Sequence, residues 1–391
     1  MSADTHRSGA FEVVIAGGGV AAIETASALS KLAGGLVSLT LLTPNQEFFY
    51  RPMTIHEPFG GAPAKRYPLA RIAETLDAEL VEDRFAWVDR TTRTAHLASG
   101  GQLHYDALVL CLGAVARTRY EHAVTIEGRH GDELRDLVGR IDGGQVSRLA
   151  LVVPERLVWP LPLYEVALMS AARAAAKDIE LAITFLTSER APLEIFGESA
   201  SRGVSKLLGE RRIELITSLR CEIPSAGQIL ISPDRRAGDP RRTSVDPEPR
   251  RLSADQVVSL PELYGPHVRG LPGADNGFIP VDLHCRVRGV ERVYAAGDAT
   301  DFAVKHGGIA AQQADAAAES IAALAGAPVK PQPFRPAIQG MLLTGAEPYY
   351  LSAWIIGGHA SGSQLTSEAT WAPASKIAAK HLVAYLEQIG R

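Results

Sequence analysis

The stretch Phe11-Glu12-Val13-Val14-Ile15-Ala16-Gly17-Gly18-Gly19-Val20-Ala21-Ala22 decides the fold. Its apolar run, residues 11–16, predicts a buried strand. Three glycines follow at once, and an alanine-rich helix is expected over residues 20–32, stopped by Gly34 and Gly35. A second strand is expected over 36–42. Strand, turn, helix and strand in this order form a β-turn-α-β unit, the opening of a doubly wound parallel sheet. The turn fits the G-x-G-x-x-G/A pattern in the right context. Gly17 permits the tight turn, Gly19 lets a pyrophosphate approach the backbone, and Ala22 lets the helix pack closely on the sheet. The free N–H groups and partial positive charge of the helix N-terminus suit phosphate.

One expected part is missing. The second strand of such a unit ordinarily ends in Asp or Glu, which binds a ribose. Here it ends Leu41-Leu42-Thr43-Pro44. Thr43 can make one hydrogen bond there, but it cannot chelate two hydroxyls. Glu47 stands nearby as a substitute or as an ordinary exposed loop residue.

Working outward, residues 44–70 read as a long aromatic- and proline-rich loop with a short helix. Residues 79–105 alternate as an antiparallel meander, and 107–112 is another buried strand. A second α/β stretch follows, with strands at 149–153 and 179–187 and helices at 164–176 and 204–211. Residues 232–252 form a loop or insertion, and 257–260 reads as a strand returning to the first domain. A strand at 293–296 precedes Gly297–Asp298, and an alanine-rich helix runs over 310–325. The predicted class is α/β, with two doubly wound, Rossmann-like dinucleotide-binding domains. The first is discontinuous (10–115 and 265–332). The second (116–264) has no glycine motif, and a small C-terminal section (333–391) completes the chain.

Composition narrows the function classes. The 391 residues are 46% hydrophobic and 21% charged, with a net charge of −4. No basic arm or stripe argues for nucleic acid, and Arg211–Arg212 and Arg235–Arg236 read as solvated surface. The N-terminal ten residues lack the apolar core of a signal peptide. No apolar run approaches the roughly 20 residues needed to span a bilayer. The three cysteines, Cys111, Cys221 and Cys285, form no Cys-x-x-Cys pair, which argues against a local redox dithiol or a metal knuckle. A reduced, cytoplasmic setting is the expectation, with at most contact to a membrane surface.

Several segments together resemble a known family. Gly17–Ala22, the stretch from Tyr105 to Ala114 and Val293-Tyr294-Ala295-Ala296-Gly297-Asp298 stand in the order seen in FAD-dependent pyridine nucleotide-disulfide oxidoreductases. Phe49-Tyr50-Arg51-Pro52 and the aromatic C-terminal section look most like the branch of sulfide:quinone reductase, flavocytochrome c sulfide dehydrogenase and type II NADH dehydrogenase. The resemblance implies FAD as cofactor. It implies that Asp298 bonds a ribityl hydroxyl, with Gly297 giving the room. The backbone of Ala86 would meet adenine, and Gly113 would let the chain cross near the cofactor. Arg51 would lie close to the pyrophosphate or flavin; a solvated loop arginine is its rival. Lys305 and the helix after Gly307–Gly308 would stabilise negative charge on reduced flavin. An exposed lysine at a helix start is the plainer alternative. His306 is read as a capping or packed residue before a proton shuttle.

The second unit departs from that pattern. Its first strand runs into Pro154-Glu155-Arg156-Leu157-Val158-Trp159-Pro160-Leu161-Pro162, with bulky side chains and three prolines that lack N–H groups. Such a loop should not cradle a pyrophosphate. No cysteine pair is arranged for sulfide chemistry, so no catalytic residue is assigned beyond the flavin. The leading expectation is an FAD-dependent oxidoreductase that takes electrons from a small-molecule donor other than NAD(P)H and passes them to an acceptor such as a quinone. Two readings stay open beside it. One is an NAD(P)H-dependent reductase in which Glu189 contacts a ribose at an atypical site. The other is a flavin-bearing partner protein without turnover. The C-terminal section reads as a packed lid or homodimer interface before a membrane-contact surface. It is expected to end in a helix over 375–388 with Ile377, Leu382, Leu386 and Ile389 on one side and Lys376, Lys380 and Glu387 elsewhere.

Overall fold

A computed structural model of the chain describes residues 9–127, 131–156, 159–234, 249–356 and 359–389. Readings made on residues 1–8, Leu157, Val158, Arg235–Arg236, most of the 232–252 insertion and the side chain of Ile389 lie outside the described residues.

The glycine turn sits where the sequence puts it. Phe11–Ala16 is the central strand of a five-stranded parallel sheet, flanked by Val37–Leu42 and Ala107–Leu110, with Ala78–Val81 and Val293–Ala295 at the edges. Val13–Ala16 and Ala107–Leu110 are buried throughout, as a parallel sheet covered on both faces requires. The edge strand Val293–Ala295 joins this sheet from nearly two hundred positions downstream of Leu110. Helices Val20–Ala33 and Gly307–Leu324 pack on each other across one face. The meander, Phe85–Asp89, Thr94–Leu97 and Gln102–His104, covers the other with Val88, Ala95 and Leu97.

A second five-stranded parallel sheet has the order Val124–Thr125, Gln256–Ser259, Arg148–Val152, Ala182–Leu186, Glu214–Ile216. Gln256–Ser259 therefore belongs to this sheet and does not return to the first, because its buried Val257 and Val258 complete the second core. The chain passes between the sheets twice, through Val115–Arg117 and Glu262–Tyr264, which pair antiparallel. Two other expectations change. Arg250–Ser253 is not loop but the third strand of an antiparallel sheet with Leu219–Ser225 and Gln228–Pro233. Within the 44–70 loop, Glu47–Phe49 pairs with Arg66–Pro68, and Glu47 is exposed beside Arg66 at 3.6 Å.

The C-terminal section is a three-stranded antiparallel sheet, Ala337–Leu342, Tyr349–Ile356 and His359–Thr366. It lies on the second unit. Ser363 Oγ accepts a hydrogen bond from Ala200 N at 3.0 Å, at the start of helix Glu198–Glu210. Gly203 of that helix leaves just enough space for Leu365. The final helix is Leu382–Ile389 and begins seven residues later than expected. Residues 375–381 instead run as an irregular strap over the N-terminus of helix Gly307–Leu324. The cause is polar: Glu24, fully buried on the first helix, accepts hydrogen bonds from His381 N (2.8 Å) and Leu382 N (2.5 Å) and so caps the last helix at that point.

Candidate functional site

Two glycines in the first turn have opposite surroundings. Gly17 adopts φ +137°, and a Cβ on it would lie 2.3 Å from the Cys111 carbonyl oxygen. No side chain fits. The turn is pinned by Gly17 N to Leu42 O at 2.8 Å and by Cys111 N to Ala16 O at 2.8 Å. A Cβ on Gly19, by contrast, would meet no protein atom within 4 Å. Gly19 is the N-cap of helix Val20–Ala33, and no side chain caps that end. The helix therefore presents its first N–H groups to a cradle open on the Gly19 side. Gly113, at φ +71°, likewise has open space where a Cβ would be. Ala22 is fully buried against the sheet.

Thr43 is buried at the end of its strand, and its Oγ1 would stand 2.7 Å from a Cβ on Gly18. The hydroxyl already accepts from Asn45 N at 3.2 Å. Ala86 is exposed, at an irregularity where the strand ladder skips from Phe85 to Trp87.

Gly297, at φ +80°, works differently from expectation. A Cβ there would come within 3.2 Å of Ala310 Cβ and 3.3 Å of Ala21 Cβ. The room it gives is room for two helices, whose N-termini converge on this turn. Buried Gln313 holds it by accepting from Gly297 N at 2.8 Å. Two positive helix ends thus point into one region.

Next to this turn opens a cavity of about 240 Å³. It gathers Arg51, Asp298 and Lys305, three of the expected residues, together with Trp159, Glu165 and Lys376. Lys305 is not the exposed lysine of the plainer reading. It is 4% exposed, its Nζ donates to Thr300 O, and it lies 3.8 Å over the Phe278 ring. Burial pulls its pKa down to about 8, against the attraction of Asp298 and Asp301. Burial raises the Asp298 carboxyl, opposed by Lys305 and Arg51. His306 is the N-cap of helix Gly307–Leu324, where its Nδ1 accepts from Gly308 N at 3.2 Å. It packs on Trp159 at 4.4 Å, and burial followed by the charge of Lys376 lowers its pKa to about 4. A neutral, capping imidazole follows.

The sequence reading missed Lys376 and Glu165. Lys376 was expected on the polar side of a helix; it is 6% exposed and paired with Glu165, which is 1% exposed. Glu165 Oε1 also accepts from Leu343 N at 2.9 Å. The pair therefore ties the strap, the C-terminal sheet and the helix Leu161–Ala176 together at the cavity wall. Tyr50 OH accepts from Ile377 N at 3.2 Å and fixes the strap from the other side. The available signal was Glu165 itself, the one charge in the first three turns of its helix.

In the second unit the corresponding helix starts on prolines. Pro160 is the N-cap of helix Leu161–Ala176, and Pro162 stands in its first turn. Tyr164 is buried, stacked on Phe185 at 4.1 Å, and donates to Glu189 Oε2 at 2.7 Å. Thr187 Oγ1 lies 3.0 Å from the same oxygen. Glu189, raised to about 7 mainly by burial, is already engaged. All three cysteines are buried, and none lines the cavity. Burial pushes Cys111 and Cys221 up to about 12 and Cys285 higher still.

Comparison with solved structures bears on the fold. The chain superposes on the sulfide:quinone oxidoreductase of the hyperthermophilic bacterium Aquifex aeolicus with a TM-score of 0.78 at 20% identity, covering 92% of this chain and 87% of that one. It also matches a ferredoxin reductase from Rhodopseudomonas palustris (TM-score 0.61, 21% identity, 88% and 83% covered). A third match is the NAD-dependent persulfide reductase of A. fulgidus (0.60, 18%, 89% and 64%). The likeness, at 18% to 21% identity, is one of fold: two Rossmann-like α/β units, each built on a five-stranded parallel sheet. No family model matches the sequence, and no curated protein matches it.

Proposed function

We propose that the protein is an FAD-dependent oxidoreductase that takes electrons from a small-molecule donor other than NAD(P)H and delivers them to an acceptor such as a quinone. The observation that carries this reading is continuity. The open cradle at Gly19, the turn at Gly297–Asp298 and the cavity of Arg51 and Lys305 adjoin one another around two converging helix N-termini. Gly17, Gly19, Ala22 and the helix start would hold the pyrophosphate, with Thr43 and Ala86 toward the adenosine. Asp298, Gly297 and Gly113 would lie along the rest of the cofactor. When bound, flavin supplies two-electron chemistry that no side chain here can provide. Lys305 and the positive end of helix Gly307–Leu324 favour negative charge in the cavity. Lys376 adds a second buried ammonium. Trp159 and Ile377 keep water out.

The division into a discontinuous cofactor domain (10–115 and 265–332), a second domain (116–264) and a C-terminal section (333–391) is supported by sheet membership and by the paired crossings at Val115–Arg117 and Glu262–Tyr264. Among the described residues no helix is long and apolar enough to cross a membrane. A cytoplasmic protein, homodimeric or touching a membrane surface through its C-terminal section, fits this reading.

Two measurements test it. The purified protein should carry flavin absorbance, and Gly19→Val, which fills the cradle, should give folded but colourless protein; retention of full FAD by that variant overturns the assignment. Anaerobic titration with NADH and NADPH should leave the flavin oxidised. The three prolines and the engaged Glu189 support that outcome, and prompt bleaching at low NADH would favour the NAD(P)H-dependent reading instead.

A further inference from the structure

We propose that a second groove, on the far side of the strap from the flavin cavity, is a binding site for a planar aromatic anion of one or two rings. The groove has a volume of about 390 Å³ and lies between helix Gly307–Leu324, the C-terminal sheet and the strap. That size falls in the range of small-molecule sites, which run from roughly 300 to 1,000 Å³.

Its chemistry is specific. Small residues, Ala311 and Ala378 among them, line part of it. Two indoles form the walls. Trp354 is 56% exposed, although so large an apolar side chain is ordinarily covered. Trp371 is fixed in place, its Nε1 donating to Ser375 O at 3.0 Å and its ring set edge-on to Tyr350 at 5.4 Å. A rigid indole beside an exposed one suits a flat ring, which gains from stacked or edge-on contact. Two cations stand at the groove, Arg335 and Lys380, the latter also acting on Asp315 and His381. A guanidinium in that position offers paired donors to a carboxylate or phosphate. The acid of the lining, Asp315, is turned to Glu24 and His381 (Nε2 at 3.7 Å). Its carboxyl is raised by burial and by Glu24, so it does not place a full negative charge against such a ligand.

The strap gives the groove its significance. Lys376 and Ile377 face the flavin cavity, whereas Ser375, Ala378 and Lys380 face the groove. The two spaces share one wall. Occupation of the groove therefore bears on the segment that carries the buried Lys376.

The test uses the purified full chain and calorimetric titration with naphthalene-2-carboxylate. Saturable one-site binding is expected. Trp354→Leu should weaken it, and Arg335→Gln should weaken it roughly tenfold, the order of one charge-assisted hydrogen bond. Naphthalene-2-methanol, with the same rings and no charge, should bind weakly and equally to wild type and Arg335→Gln. Cyclohexanecarboxylate, with the charge and no flat ring, should not bind. The proposal is overturned by absence of saturable binding, by binding that neither variant alters, or by cyclohexanecarboxylate binding as well as the aromatic acid. Both substituted side chains are exposed, and neither takes part in the flavin cavity, so flavin absorbance should be unchanged in the variants. A colourless protein that still binds the probe would count against the FAD reading and leave this one standing.

Discussion

Gly17 and Gly19 are the same residue two positions apart, and they are needed for opposite reasons. At Gly17 protein atoms forbid a side chain; at Gly19 the protein leaves the space open. Both were legible in the sequence because the motif encodes local backbone geometry, which depends on few neighbours. Lys376 was not legible. Its partner Glu165 lies 211 positions away, and no local pattern marks a lysine as buried. A buried ion pair costs desolvation on both sides, so removing one partner is worse than removing both. Lys376→Met should destabilise the protein by about 3–5 kcal/mol, and adding Glu165→Leu should recover a large part of that loss. Denaturant unfolding of the two variants measures this, and equal losses would show that the pair does not act as a unit.

Among the elements, the parallel strands and the helix after the glycine turn were readable from their apolar runs. The C-terminal sheet was overlooked although Ala337–Leu342 alternates, with Ile338, Gly340 and Leu342 inward. Glycines inside its strands hid the pattern, since Gly340 contributes no apolar side chain but gives Phe196 and Leu161 room to approach. The same sheet supplies a cap in trans. Helix Glu198–Glu210 begins at Gly197, which has no side chain to cap it, and Ser363 takes that role. Ser363→Ala should therefore cost about 0.5–2 kcal/mol, the range of an ordinary N-cap. A thermal scan that shows no change would mean that water replaces the hydroxyl there. The start of the last helix was misplaced for a related reason: its capping carboxylate, Glu24, sits on the first helix and lies outside any local window.

For the molecule as a whole, the contact of helices Val20–Ala33 and Gly307–Leu324 with the strap before Leu382–Ile389 is polar where a core would ordinarily be apolar. Glu24, Asp315 and His381 have ligand atoms within 4.8 Å of one another, with Lys31, Lys380 and Glu319 facing them. Burial holds the His381 pKa down to about 4 and raises both carboxyls. Their contributions to stability have opposite sign. His381, neutral in the fold, contributes stability that is present above pH 6.5 and lost as pH falls toward 4. The carboxyls keep protons that the unfolded chain has already released, so they contribute stability that is lost as pH rises. Below pH 6.5 the two effects oppose each other; above it only the carboxyl effect remains. Unfolding free energy should accordingly fall as pH rises from 6.5 to about 8, the value to which burial raises Asp315, and Asp315→Asn should flatten that slope. Urea titrations at a series of pH values decide it, and an unchanged slope in the variant would assign the effect to other groups. The strap has one more consequence, which concerns the order of synthesis. Glu24 and His381 are 357 positions apart, yet both are required to seat the segment that walls the cavity. In the order of synthesis the glycine turn comes first, Cys111, which pins it, follows, and Lys376 and Ile377 come only near the end. The strap is therefore the last wall of the cavity to be synthesised, after Arg51, Trp159, Asp298 and Lys305 have all been made.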